Sequence, residues 1–114
     1  MTLQRYCLAL DLVDDPEKIQ TYIALHRKIW PEVKANIYAC GIMDMQIWHI
    51  GTRLFMIMEV DDTYSPQHAA AIAATEPRVK EWETLMWQFQ SKTPWTPTGE
   101  KWIAMEKIFD LKMQ

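Results

Sequence analysis

Three glycines in 114 residues are too few for the loops that cradle phosphates or raise a catalytic serine. A Gly-x-Gly-x-x-Gly turn, a phosphate-binding loop and a Gly-x-Ser-x-Gly elbow each need closely spaced glycines, and no such pattern occurs. Nucleotide cofactors and serine nucleophile chemistry therefore have no support. Cysteine is as scarce: Cys7 and Cys40 make neither a disulfide framework nor a metal motif. Cys7 falls in a predicted strand and Cys40 at a helix end, so both read as small buried hydrophobes of a reduced, cytoplasmic protein. His26, His49 and His68 lie far apart, with no His-x-His or His-Glu-x-x-His pattern, so no metal is expected. No apolar run approaches the roughly 18 residues of a membrane span. Met1-Thr2-Leu3-Gln4-Arg5 leads straight into an alternating strand, which argues against a signal peptide. An excess of positive charge is missing too: the net charge is −3 and no Lys/Arg cluster stands out, which removes the electrostatic reason to expect nucleic acid.

What is present fits one globular domain over residues 1–114, 49% apolar and 24% charged. Six tryptophans and eight methionines are many for this length. Together they favour an aromatic-lined cavity or a large interface, because an indole is costly to bury unless its N–H finds a partner.

Residues 5–12 alternate, with Tyr6, Leu8, Leu10 and Leu12 on one side and Cys7, Ala9 and Asp11 on the other, which predicts a strand. Asp14-Asp15-Pro16-Glu17 supplies a cap, a proline for the first helical position and an acid for the first turn. The helix that follows carries Ile19, Tyr22, Ile23 and His26 on one stripe. Pro31 ends it and opens a second, short helix to about Ala39, closed by Gly41. Residues 44–50 and 53–61 read as two strands joined at Gly51-Thr52. An alanine-rich helix at 67–74 precedes another from Pro77 to about Gln90, with Val79, Trp82, Met86 and Phe89 on its buried stripe. Residues 91–101 read as a loop around Trp95, and residues 102–111 as the last strand.

The order strand, helix, strand, strand, helix, strand predicts an α+β, ferredoxin-like βαββαβ unit with an antiparallel sheet. Both crossover helices of such a unit cover one face of the sheet. The other face does not look polar: Phe55 and Ile57 alternate with Leu54, Met56, Met58 and Val60, and the last strand is apolar on both sides. A sheet buried on both faces predicts a homodimer packed sheet to sheet, with the Trp95 loop reaching across.

The chemistry-bearing stretch is Tyr22-x-x-x-His26-x-x-x-Trp30-Pro31-Glu32. A phenol and an imidazole four residues apart share one helix face, and the indole follows at the helix end. A lone helical histidine is more often structural than catalytic, but Tyr22 one turn away strengthens the catalytic reading of His26. His49, in a strand, and His68, beside alanines, read as packing or surface groups. Asp11, Glu59 and Glu106 fall where a strand would otherwise be apolar. They line a pocket or, more simply, pair with Arg5, Arg53 or Lys107 at an edge.

The sequence resembles the L-rhamnose mutarotase family of sugar-anomer-converting enzymes. The resemblance is carried by Tyr22-x-x-x-His26-x-x-Ile29-Trp30-Pro31-Glu32, by Arg53-Leu54-Phe55 leading to Glu59, by Glu81-Trp82-Glu83-x-Leu85-Met86, and by Met105-Glu106-Lys107-Ile108-Phe109. It implies a dimeric α+β barrel, a cytoplasmic homodimeric isomerase and a monosaccharide substrate, with no cofactor or metal. It makes His26 the general acid, Tyr22 the tyrosine beside it and Trp82 a wall of the sugar site. Beyond the resemblance, Trp30 and Trp95 are further stacking candidates and Asp11 and Glu59 further substrate-binding candidates, and the general base stays open between Asp11, Glu59 and a bound water. Where rhamnose-specific members carry two consecutive tryptophans, Glu81 precedes a single Trp82. The segment from Pro77 to Gln90, with Gly99-Glu100-Lys101-Trp102, looks more like a branch associated with L-fucose. The expected activity is thus an aldose 1-epimerase acting on L-rhamnose or L-fucose. The rivals are a haem-binding or oxygenase-type protein on the same dimeric fold, and a small-ligand-binding domain without turnover.

Overall fold

The computed structural model describes residues 3–114; Met1 and Thr2, part of the stretch read above as lacking a signal peptide, lie outside them. Four of the six prolines are the first residues of the four helices: α1 (Pro16–Arg27), α2 (Pro31–Ala39), α3 (Pro66–Ala74) and α4 (Pro77–Trp87). A proline there gives up an amide that would have had no partner and pre-sets the helical φ. Three of these helices are capped by the preceding side chain. Asp15 accepts from the amides of Glu17 and Lys18, Ser65 from that of His68, and Glu76 from that of Arg78. Trp30, which precedes Pro31, caps nothing.

Between the helices run β1 (Gln4–Leu12), β2 (Ile42–Ile50) and β3 (Arg53–Val60), followed by two short pieces, β4 (Gln90–Ser91) and β5 (Ile103–Ala104). The sheet order is β2-β3-β1-β4, all antiparallel, with β5 also on β1. This is the ferredoxin-like α+β arrangement.

The last strand differs from the expected continuous run over 102–111. Ser91 pairs with Asp11 and Ile103 with Ala9, so two residues of β1 are matched by a twelve-residue advance of the chain. The edge strand is therefore interrupted by a loop over 92–102. After the amide of Met105 donates to the carbonyl of Cys7, the chain leaves the ladder, and only a short 3₁₀ turn follows at Leu111–Met113. Alternation of apolar residues marked the composition of this stretch. The loop itself, with Pro94, Pro97 and Gly99, is the one expected over 91–101; what the alternation could not show is that Gln90 and Ser91 join the sheet before it and that the strand after it stops at Ala104.

The helices cover one face of the sheet. Leu10, Leu12 and Leu54 pack with Tyr22, Val33, Val79, Trp82, Met86 and Phe89; Met56, Met58 and Val60 pack with Cys40 and Ile42. The opposite face is lined across four strands by Trp48, Phe55, Ala9 and Ile103, which are successive cross-strand partners. Cys7 lies on that second face, opposite Ile57, and is half-buried rather than buried, because odd-numbered β1 residues point away from the helices. Cys40 is buried as expected.

Candidate active site

Tyr22 and His26 stand one turn apart near the C-terminal end of α1, their ring centroids 4.2 Å apart. His26 Nδ1 lies 2.8 Å from the Tyr22 carbonyl oxygen. A carbonyl can only accept, so Nδ1 carries a hydrogen and donates it. Nε2 is then the bare nitrogen of the neutral ring and the atom left for a ligand. Burial lowers the His26 pKa below the ordinary imidazole value, and the bond to the Tyr22 carbonyl only partly offsets this. The resting ring at neutral pH is thus neutral. Tyr22, only 3% exposed, has its pKa raised by burial, against a smaller opposing effect from Gln90, whose Nε2 donates to Tyr22 Oη over 3.5 Å. The phenol keeps its proton. The pair is a proton acceptor beside a proton donor, with neither carrying charge.

Trp82, buried on α4, meets the His26 ring edge to face at 5.4 Å and the Trp30 ring in the same manner at 5.2 Å. Behind Trp30 the Arg78 guanidinium lies 4.0 Å from the ring centroid, and Arg78 also bonds Glu81 at 2.6 Å. The short turn at Lys28-Ile29-Trp30 thus wedges an indole behind Trp82 and fixes it against His26. A cleft of about 1120 Å³ opens in front of these groups, lined by Tyr22, His26, Trp82, Met86, Gln90 and Trp102 among others. A smaller hollow of about 310 Å³ touches the other side of Tyr22 and His26.

Of the residues singled out in the sequence, Tyr22, His26 and Trp82 come together on the cleft wall. Trp30 sits behind that wall and does not line the cleft. Asp11 and Glu59 are elsewhere: Asp11 is held by Arg53 at 2.8 and 3.2 Å, and Glu59 lies 3.9 Å from Arg5. Both are direct cross-strand pairs on the sheet face turned away from the helices. His49 binds the Gly51 carbonyl at 2.6 Å and borders only the smaller hollow, and His68 is exposed on α3. Among the described residues, no three His, Cys, Asp or Glu side chains gather where they could hold a metal.

Sequence reasoning did not place Gln90, Lys101 or Trp102 at the cleft. Lys101 and Trp102 close it from the 92–102 loop, with Lys101 Nζ 3.6 Å from the centre of the Trp87 ring. The only signal was indirect: these residues belong to the two segments that resemble the fucose-associated branch.

A family model described as L-rhamnose mutarotase matches residues 5–111. The chain belongs to the L-rhamnose mutarotase family. Among its relatives, an L-fucose mutarotase of Xanthomonas campestris pv. campestris is 43% identical over 113 residues, covering 97% of this chain and 90% of that one. A UPF0734 protein of Dictyostelium discoideum is 36% identical over 93% of this chain and 88% of its own. Among solved structures, the L-rhamnose mutarotase of Formosa agariphila superposes with a TM-score of 0.67 at 22% identity, covering 95% of this chain and 98% of that one. A tetracenomycin F2 cyclase of Streptomyces glaucescens superposes at 0.56 with 15% identity, covering 94% and 97%. At such identities, both structural likenesses speak for the shared fold alone. Within the family, the cleft with Tyr22, His26 and Trp82 falls inside the matched residues.

Proposed function

We propose that this chain, acting as one domain, is an isomerase that interconverts the α and β anomers of a 6-deoxy-L-hexose, L-fucose or L-rhamnose. The observation that carries the reading is the neutral His26–Tyr22 pair on the wall of an aromatic cleft, in a chain of the L-rhamnose mutarotase family. Mutarotation opens a cyclic hemiacetal and recloses it on the other face of the aldehyde. One group takes the proton of the anomeric hydroxyl while another gives a proton to the ring oxygen, and the roles reverse on closing.

The bound Nδ1 and the lowered pKa give the base role to His26 Nε2 in the opening step. The Tyr22 phenol, protonated at neutral pH, supplies the acid. On this reading His26 fills the base role that the sequence left open, and it acts as an acid only in the closing step. As His26 takes the anomeric proton and Tyr22 protonates the ring oxygen, the bond from C1 to the ring oxygen breaks and an open-chain aldehyde forms. Rotation about C1–C2 presents its other face. The C5 hydroxyl then returns its proton to Tyr22 as it attacks C1, and His26 protonates the carbonyl oxygen. Trp82 offers an apolar surface for the sugar's C–H face. The 6-methyl group suits such a cleft because it needs no polar partner.

The cell setting that fits is the cytoplasm: both cysteines are free thiols, and no described helix is long and apolar enough to cross a membrane. A homodimer fits the apolar outer face of the sheet. The activity is tested by saturation-transfer NMR between the anomers of L-fucose and of L-rhamnose. Exchange faster than in buffer is expected for at least one sugar. Exchange at the buffer rate for both rejects the proposal.

A further inference from the structure

We propose that Gln90 is the specificity residue of this cleft, its Nε2 end holding the Tyr22 phenol while its Oε1 accepts a hydrogen bond from one sugar hydroxyl; this rests on the mutarotase reading of the same site. Gln90 opens β4, separated from the end of α4 by Gln88 and Phe89, and pairs with Leu12 in the sheet. Cross-strand partners point to the same face, so Gln90 faces the helices beside Leu12, a core residue. A primary amide at a position that could hold an apolar side chain calls for a polar reason. Its Oε1 is buried and has no hydrogen-bond partner, in a residue that lines an open cleft, so a small turn of the amide is all that would bring this acceptor to the cleft surface. An acceptor left unpaired in that way costs stability unless something donates to it.

The two ends of the amide act together. When Nε2 donates to Tyr22 Oη, the phenol hydrogen is left free to point into the cleft. Tyr22 O–H and Gln90 Oε1 then form a donor and an acceptor side by side. A pyranose offers the matching pair, since its ring oxygen can only accept while its hydroxyls can donate. A neutral amide fits this place better than a carboxylate, which would capture the phenol hydrogen for itself.

The test uses the whole chain with L-fucose, L-rhamnose and their monodeoxy analogues, each lacking one hydroxyl, with anomer exchange followed by NMR. For the parent protein, one analogue should lose about 10- to 100-fold in kcat/KM relative to the intact sugar. In Gln90→Met, which keeps the bulk but not the amide, that penalty should shrink to within about threefold, a coupling between one side chain and one hydroxyl. Gln90→Glu should keep the penalty, because it still accepts, but lower kcat with little change in KM, because it no longer leaves the phenol free. Analogue preferences that are the same in Gln90→Met as in the parent protein would overturn the assignment while leaving the mutarotase reading intact. Absence of exchange by the parent protein on both intact sugars would overturn both.

Discussion

In the proposed reaction two uncharged groups, an imidazole and a phenol, would suffice at the residue scale, because it moves protons between oxygens and needs no strong charge. Burial serves both: it favours the unprotonated His26 ring and the protonated Tyr22 phenol, the forms that their proposed halves of the transfer require. A pH profile of kcat/KM follows. Activity should fall on the acid side with a midpoint below the ordinary imidazole value of 6.5, since His26 must be neutral and its pKa is lowered. It should fall on the alkaline side only above 10.0, since Tyr22 must be protonated and its pKa is raised. An acid limb centred above 6.5 would contradict the base role of His26. His26→Ala should cost roughly 10²–10⁴-fold in exchange rate with the fold intact by circular dichroism. What the sequence revealed at this scale was spacing within one helix: Tyr22 and His26 are local neighbours, so four-residue periodicity found them. Asp11 and Glu59 required knowing which strand face meets α1. That depends on tertiary packing, and their cross-strand arginine partners account for them.

Among the elements, boundaries written by local chemistry were legible. Prolines open all four helices, and Gly41, at φ +90°, ends the approach from α2 to β2. The glycine is needed for more than its dihedral. A Cβ there would lie 2.5 Å from Thr63 Oγ1 and 2.6 Å from Asp61 Oδ1, in the turn where the Asp61 amide donates to the Gly41 carbonyl. Gly41→Ala should therefore cost about 1–3 kcal/mol, from a strained backbone and a displaced turn. Urea unfolding should show the midpoint falling at unchanged slope. An unchanged midpoint would show that the turn relaxes freely. The loop over 91–101 and a strand after it were legible, but the pair 90–91 was not, being too short to carry a period of its own, nor was the stop of the last strand after 103–104. Their place is set by where β1 offers unpaired amides, which is a property of the assembled sheet. The loop between them matters for the cleft, since it delivers Lys101 and Trp102 to the cleft that Trp82 also lines.

For the whole molecule, the sheet face turned away from the helices and its margins carry large exposed apolar side chains. Trp48 is 61% exposed and Ile50 80%, and past β5 Ile108 is 89% exposed. A row of apolar cross-strand partners runs over that face from Trp48 through Phe55 and Ala9 to Ile103, contiguous where isolated surface apolar residues are scattered. Its flanking ion pairs, Asp11 with Arg53 and Glu59 with Arg5, leave charge of both signs at the rim, which suits a self-complementary contact with a second copy. Trp95, whose ring lies 5.1 Å from the Arg53 guanidinium, stands at the same rim, where a loop reaching across would start. If two copies close on this face, folding and association are coupled, and the melting temperature should rise with protein concentration. Trp48→Glu would bury a carboxylate in that contact. It should give a monomer by sedimentation velocity at micromolar concentration and remove the concentration dependence of melting, whereas a monomeric parent protein would leave this face unexplained by pairing. The cleft lies on the helix side of the sheet, so the monomeric variant also separates the two roles. Retained anomer exchange would show that one copy builds a complete site, and lost exchange would show that the partner holds the 92–102 loop in place.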